Sequence, residues 1–191
     1  FFATPASSVA SAAFIIGLLS VASRLLGIVR DRILASSFGA GTTLDMYYAA
    51  FRLPDLVFNL LVLGALSAGF IPVFAKLAAE KNQRQAAWHL ANNIFHTLAF
   101  ALIIICGLGI IFSPALTQWI APGFKASERE TISILTRIMF LSPFFLGLSS
   151  IAGSILQSFH KFFVYSLAPV LYNLGIIAGV VFFVPDYGIY G

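Results

Sequence analysis

The sequence predicts an all-α fold, a bundle of helices that crosses a membrane several times. Of its 191 residues, 60% are hydrophobic and only 9% are charged, whereas soluble domains carry about a quarter charged residues. The apolar residues lie in long runs, and a run of roughly 20 residues lets an α-helix cross the hydrocarbon core of a bilayer. These runs are too long and too uniformly apolar to be the alternating strands of a membrane barrel.

Five segments have the length and composition of a membrane-spanning helix, and a sixth helix is predicted to start near Tyr187. The five lie at about 9–36, 44–74, 86–112, 129–157 and 164–184. The chain starts at Phe1 without a methionine and ends at Gly191, where an apolar stretch has just restarted. We therefore expect it to be a piece of a longer protein.

The charges of the loops predict how the helices are oriented, because positively charged loops stay on the cytoplasmic side. The loops after the second and fourth helices carry an excess of positive charge, and the loop after the third helix is nearly balanced. We therefore predict that the N-terminus is cytoplasmic. The residues concerned are Lys76, Lys81 and Arg84 against Glu80, then Lys161, and in the balanced loop Lys125, Glu128, Arg129 and Glu130.

The first helix carries charges that are expensive inside a membrane. A central Arg or Asp costs roughly 2.5–3.5 kcal/mol on insertion scales, so such residues usually face the interior of a bundle or a water-filled cavity. At 100° per residue, one face of this helix is made only of charged or small residues, and Arg30 and Arg32 flank it on either side. The face consists of Ser20, Arg24, Gly27, Asp31 and Ala35. Because a guanidinium donates two parallel hydrogen bonds to a phosphate, the arginines predict an anionic substrate. The alternative is that the late charges reach the headgroups or pair with a neighbouring helix.

The second helix has a similar polar stripe, formed by Asp45, Arg52, Asp55 and Asn59. Pro54 lies inside it and removes one backbone hydrogen bond, so we expect a kink. Two structural alternatives remain open. Asp45 suits the positive end of the helix dipole, and Arg52 and Asp55 are spaced as a local ion pair.

The sequence contains no motif for covalent chemistry. It has neither a phosphate-binding Walker loop nor an HExxH motif, and no His/Cys cluster has metal-ligand spacing. The broad basic face that is typical of nucleic-acid-binding modules is also missing. We therefore expect a protein that is not an enzyme, with no cofactor, no metal site and no nucleic-acid partner.

The residues of these two helices resemble the MurJ (MviN) family of lipid II flippases. The similarity is most specific over 23–74 and continues to the end of the chain. The matching stretches are 23–31 (SRLLGIVRD), 38–41 (FGAG), Asp45, 51–54 (FRLP), Gly64-Ala65, 70–74 (FIPVF), 121–124 (APGF) and 167–173 (LAPVLYN).

The resemblance implies an exporter of the MOP superfamily with two pseudo-symmetric lobes in the bacterial inner membrane. This chain would supply most of the N-terminal lobe, and the C-terminal lobe would be missing from it. The substrate would be lipid II, the undecaprenyl-pyrophosphate-linked cell-wall precursor, moved to the outer leaflet by alternating access. The family's cavity residues match Arg24, Arg30, Asp31 and Asp45. A membrane potential or a coupling ion would supply the energy.

The chain departs from the family pattern after Pro54. Similar proteins usually have a basic pair and then a Glu, whereas the matching positions here are Phe58, Asn59 and Leu63. This difference leaves open an exporter of another polyprenyl-linked oligosaccharide. Two further alternatives are a drug exporter of the same superfamily and a scaffold for cell-wall enzymes that does not transport. Drug exporters usually carry cavity carboxylates, so the arginines argue against that alternative.

Overall fold

The chain is almost entirely helical in the computed structural model, which describes residues 9–63 and 69–191. No β-strand occurs within these two ranges, and the predicted all-α fold class is confirmed. In chain order the α-helices are α1 (Val9–Phe38), α2 (Thr42–Val57), α3 (Ile71–Ala79), α4 (Arg84–Ile120), α5 (Ala126–Met139), α6 (Leu141–Ser158) and α7 (Phe162–Tyr187). A π-helical segment, Phe58–Leu63, directly follows α2, and single 3₁₀ turns precede α4 and follow α7.

Within the described ranges, four stretches of helix are long and apolar enough to cross a membrane. They are Ser11–Phe38, Arg84–Ile120, Ala126–Ser158, which combines α5 and α6, and Phe162–Tyr190. The chain therefore has the features of a multi-pass membrane protein. The segment 44–74 that we predicted as one helix contains α2, the π-helical segment and the start of α3. It also contains residues 64–68, so the Gly64-Ala65 motif lies outside the described residues.

The chain divides into two compact units, and the boundary falls inside α2, after Asp45. The first unit combines the residues up to Asp45 with Phe159–Gly191, and in it α1 packs against α7 along much of their length. Both helices expose large apolar side chains such as Phe14, Leu18 and Phe182. In a membrane protein such side chains are expected to face lipid or a neighbouring helix.

The second unit, Met46–Ser158, is built around α4. Its core contains fully buried residues from α3, α4 and the junction of α5 with α6, among them Phe74, Leu102 and Phe140. Cys106 is buried in the same cluster, where its thiol packs as a small apolar side chain.

The segment 129–157, which we predicted as one helix, is divided at Phe140. Pro143 explains the position of the break, because a proline cannot donate a hydrogen bond to the carbonyl four residues earlier. As the third residue of α6, Pro143 lies in the first turn of a new helix, where the missing N–H is tolerated. The ring of Phe140 then packs against the backbone of α4 at Gly109, where a Cβ atom would lie 2.6 Å from Cε1 of the ring.

Pro54 in α2 creates a second gap in the backbone hydrogen bonding, and a neighbouring helix partly closes it. Because Pro54 has no N–H, the carbonyl of Ala50 lacks its usual helical donor. The hydroxyl of Thr136 in α5 donates to that carbonyl at 3.4 Å, which is long for such a bond. Ala50 and Thr136 are both buried, so water does not compete for this contact.

Candidate functional site

Two arginines of α1, Arg24 and Arg30, lie deep inside a candidate membrane-spanning helix. Arg24 is 13 residues from the start of the span Ser11–Phe38 and 14 residues from its end, which places it roughly 20 Å from either end at 1.5 Å per residue. Arg30 is roughly 12 Å from the end at Phe38. On this chain Arg24 is exposed and Arg30 is partly exposed. Neither side chain is therefore buried in an apolar core.

Arg30 is held in a fixed orientation by two neighbours. Its Nε and Nη2 atoms donate to Oδ1 of Asp31 at 2.9 and 2.7 Å, and its Nη1 atom donates to Oδ1 of Asn173 at 2.9 Å. The side chains of Arg30 and Asp31 are 25% and 51% exposed. The pair therefore lies at the edge of the α1–α7 contact, with Asn173 on its buried side.

Asn173 of α7 is the centre of this polar contact. It is 7% exposed, and its Nδ2 group approaches the carbonyl and the hydroxyl of Ser23, both at 3.1 Å. Nδ2 also donates to the carbonyl of Pro169 at 3.0 Å. An amide buried in an apolar interface is costly unless it is hydrogen-bonded, and here both its oxygen and its nitrogen have partners.

The two arginines differ in how much hydrogen-bonding capacity they keep. Arg30 uses three of its five N–H groups on Asp31 and Asn173. Arg24, by contrast, makes no hydrogen bond to any residue in the described ranges. Within these ranges Arg24 therefore has its whole guanidinium available for a phosphate, which is recognised by two parallel N–H donors. Arg30 has two N–H groups left and a fixed position.

The remaining predicted residues lie along α2 and the π-helical segment. Asp45 is in the first turn of α2 and exposed, where the helix dipole favours a negative charge. Arg52 is exposed as well. Asn59 donates from Nδ2 to the carbonyl of Asp55 at 2.8 Å, so its amide supports the start of the π-helical segment. Asp45 belongs to the first compact unit, and Arg52 and Asn59 belong to the second.

Sequence reasoning did not select Asn173 or Ser23 as site residues. Both lie in the stretches that carry the family resemblance, but each is an ordinary polar residue in an apolar helix. The available signal was that a buried amide needs partners, and Asn173 is the one asparagine in the predicted span 164–184. Its partner in α1 is 150 residues away, and periodicity does not reveal such a pairing.

Within the described ranges, no group of three or more His, Cys, Asp or Glu side chains has the arrangement of a metal site. The N–H groups that keep hydrogen-bonding capacity in this site belong to Arg24 and Arg30, because the Asn173 amide donates to Ser23 and Pro169. Chemically, this arrangement can bind and orient an anion.

The chain was compared with known proteins. The family model "Lipid II flippase MurJ" matches residues 34–191. This match includes Asp45, Arg52 and Asn59 and begins after Arg24, Arg30 and Asp31.

Individual curated proteins are similar over most of this chain. It is 34% identical over 170 residues to the probable lipid II flippase MurJ of Buchnera aphidicola subsp. Acyrthosiphon pisum, covering 88% of this chain and 33% of the relative. It is 33% identical over 169 residues to the probable lipid II flippase MurJ of Rhizobium tropici, covering 86% and 31%. For the lipid II flippase MurJ of Burkholderia cenocepacia the identity is 33% over 168 residues, covering 85% and 32%. The chain therefore spans about a third of the length of these relatives.

Proposed function

Because this chain belongs to the lipid II flippase MurJ family, we propose that it is part of a transporter that flips lipid II, the lipid-linked precursor of peptidoglycan. The chain provides helices of the N-terminal lobe of that transporter, and the rest of the protein provides a C-terminal lobe. The protein lies in the bacterial inner membrane with its N-terminus in the cytoplasm, as the loop charges predict. A flippase moves its substrate without breaking a covalent bond, so we assign no catalytic residue.

The observation that carries this proposal is the pair of arginines deep inside α1. An ionisable residue in a membrane-spanning helix is a functional-site candidate by default, because its insertion is costly. Arg24 is exposed and free of hydrogen bonds to described residues, and Arg30 is held by Asp31 and Asn173. Lipid II carries a pyrophosphate, and phosphate oxygens are the acceptors that guanidinium groups bind best.

We assign different roles to the two arginines. Arg24 captures the pyrophosphate, since all five of its N–H groups are available. Arg30 completes the site with its two remaining N–H groups, and its fixed orientation lowers the entropy that binding has to overcome. Asp31 fixes Arg30 and reduces the net charge of the empty site. Asp45 is a further substrate-binding residue of the first unit in this proposal, and Arg52 and Asn59, in the second unit, stay predictions from the sequence.

Transport proceeds by alternating access, in which one lobe rocks against the other around a fixed binding site. The apolar tail of the substrate stays in the bilayer while the headgroup crosses through the cavity. A membrane potential supplies about 2.3 kcal/mol per charge for every 100 mV, so either the potential or a coupling ion can drive the cycle.

One observation favours a second candidate substrate. The family's basic pair and Glu after Pro54 are replaced by Phe58, Asn59 and Leu63, and the Asn59 amide donates to the backbone. A less charged helix suits a headgroup that differs from that of lipid II. The alternative is therefore another polyprenyl-linked oligosaccharide that is carried on the same pyrophosphate.

The test is made in cells whose only copy of the whole protein can be depleted. The amount of lipid II accessible to a membrane-impermeant external probe is measured after depletion and rescue. Rescue by the wild type and failure of Arg24→Ala and Arg30→Ala, with lipid II accumulating inside, would support the proposal.

Arg84→Ala is the matched control, because Arg84 is an exposed arginine at the start of α4. It should rescue like the wild type. Normal flipping by both α1 variants would refute the role of the arginines. Unchanged external lipid II after depletion would remove lipid II as the substrate and leave the alternative glycan.

A further inference from the structure

Another arginine lies within a candidate membrane-spanning segment, in a part of the chain that the proposed function does not use. Arg137 is in α5, inside the candidate span Ala126–Ser158. It is 11 residues beyond Ala126, roughly 16 Å along the helix axis. The cost of a cation at this depth calls for a compensating interaction.

Among the described residues, the contact that anchors this arginine is made by its Nε atom. Nε of Arg137 donates to the hydroxyl of Ser113 in α4 at 2.9 Å. That hydroxyl also lies 2.9 Å from the hydroxyl of Ser133, one turn earlier in α5. Ser113 is completely buried and Ser133 is 6% exposed. The guanidinium is therefore held at Nε by a buried pair of serines, while Arg137 as a residue is exposed.

Arg129, in the first turn of α5, is also held through its Nε atom. Its Nε donates to the carbonyl of Phe124 in the preceding loop at 2.9 Å. Residues 129, 133 and 137 follow at intervals of four, which keeps them on one side of a helix. The arginine strip, Arg129 with Ser133 and Arg137, thus runs roughly 12 Å from the loop into the membrane.

Neither arginine of the strip is neutralised within the described ranges. No acidic side chain there forms an ion pair with Arg129 or Arg137, and their terminal nitrogens make no hydrogen bond to a described residue. Two acids lie nearby in α5. Glu128 accepts a hydrogen bond from the backbone N–H of Lys125 at the start of the helix, and Glu130 is exposed.

We propose that the arginine strip binds a phosphate group carried by a membrane lipid, on the membrane side where the loop before α5 lies. Each guanidinium keeps the two terminal nitrogens that bind phosphate oxygens in parallel, and the Nε contacts fix their direction. The lipid tail of the ligand lies against the exposed apolar side chains Ile134 and Ile138, which are 38% and 47% exposed on the same helix. This inference does not depend on the proposed flipping of lipid II.

Two kinds of lipid carry the required group, an anionic phospholipid and a polyprenyl pyrophosphate. The test titrates the purified whole protein in detergent with phosphatidylglycerol and, separately, with undecaprenyl pyrophosphate. Native mass spectrometry measures the fraction of protein that has lipid bound. Arg137→Gln should weaken binding about tenfold, the loss expected for a charge-assisted hydrogen bond. A loss for only one lipid identifies the source of the phosphate.

Arg84→Gln is the control that removes the same charge at the start of α4, and it should bind like the wild type. Equal losses in Arg84→Gln and Arg137→Gln, or unchanged binding of both lipids to Arg137→Gln, would overturn the proposal. If Arg137→Gln does not fold, Arg129→Gln decides the question, because Arg129 lies in the first turn of α5 next to the loop. This experiment measures binding alone, so a failure of lipid II flipping in cells would not change its result.

Discussion

Replacing Asn173 by Leu would test whether the polar contact between α1 and α7 stabilises the first unit. Leucine keeps nearly the same volume but removes every hydrogen bond of the amide. Three of these contacts reach α1: those from Nδ2 to the carbonyl and hydroxyl of Ser23, and the one from Arg30. The contact to Pro169 lies within α7.

The expected loss follows from the surroundings of these contacts. In water-soluble proteins, bonds of this kind contribute about 0.5–1.5 kcal/mol each, and more when one partner is charged. Between membrane helices the measured average is only about 0.6 kcal/mol, with a maximum of about 1.7, because the unfolded state in the membrane also finds partners. We use the membrane value, and three contacts then give a loss of about 2 kcal/mol in the free energy of unfolding for Asn173→Leu.

The assay is a double-mutant cycle with Arg30→Gln in the whole protein, with the free energy of unfolding measured by steric trapping in bicelles. We expect the two residues to be coupled by about 1 kcal/mol, near the upper part of the membrane range. Leu171→Ala is the control, because Leu171 is 57% exposed on the same helix. A coupling energy of zero, or wild-type stability of Asn173→Leu, would refute the view that Asn173 holds α1 and Arg30 in place.

Two further predictions concern the second unit. Gly109→Ala should lower the free energy of unfolding by about 1–3 kcal/mol, because the new Cβ would lie 2.6 Å from Cε1 of the buried Phe140 ring. Gly107→Ala is the control and should fold like the wild type, because nothing lies within 4 Å of a Cβ at that position. Equal thermal stability of the two variants would contradict the packing. Thr136→Val should cost about 1 kcal/mol, because it removes the hydroxyl that donates to the buried Ala50 carbonyl. Thr136→Ser keeps the hydroxyl and should lose less, and the reverse order in unfolding measurements would show that the contact contributes nothing.

Composition and local pattern were sufficient for the fold class. With 9% charged residues, the chain cannot cover a soluble surface, and long apolar runs in a bilayer form helices because every backbone group has to be hydrogen-bonded internally. Pro143 is visible in the sequence, but whether one helix continues through it depends on packing. The ring of Phe140 against Gly109 is a contact between residues that the sequence keeps 31 positions apart.

The sequence by itself determined that this protein is an all-helical membrane protein with arginines inside its first helix, because both facts follow from local composition and cost. Only the tertiary structure decided which of those arginines is tied down. The sequence predicts both Arg24 and Arg30 as substrate-binding residues, yet Arg30 is bound to Asn173 and Arg24 is not. The reason is that α7 is apolar on nearly all sides, so its pattern does not indicate which of its faces packs against α1. The rotation of each helix against its neighbour, which sets these partners, arises only when the helices associate.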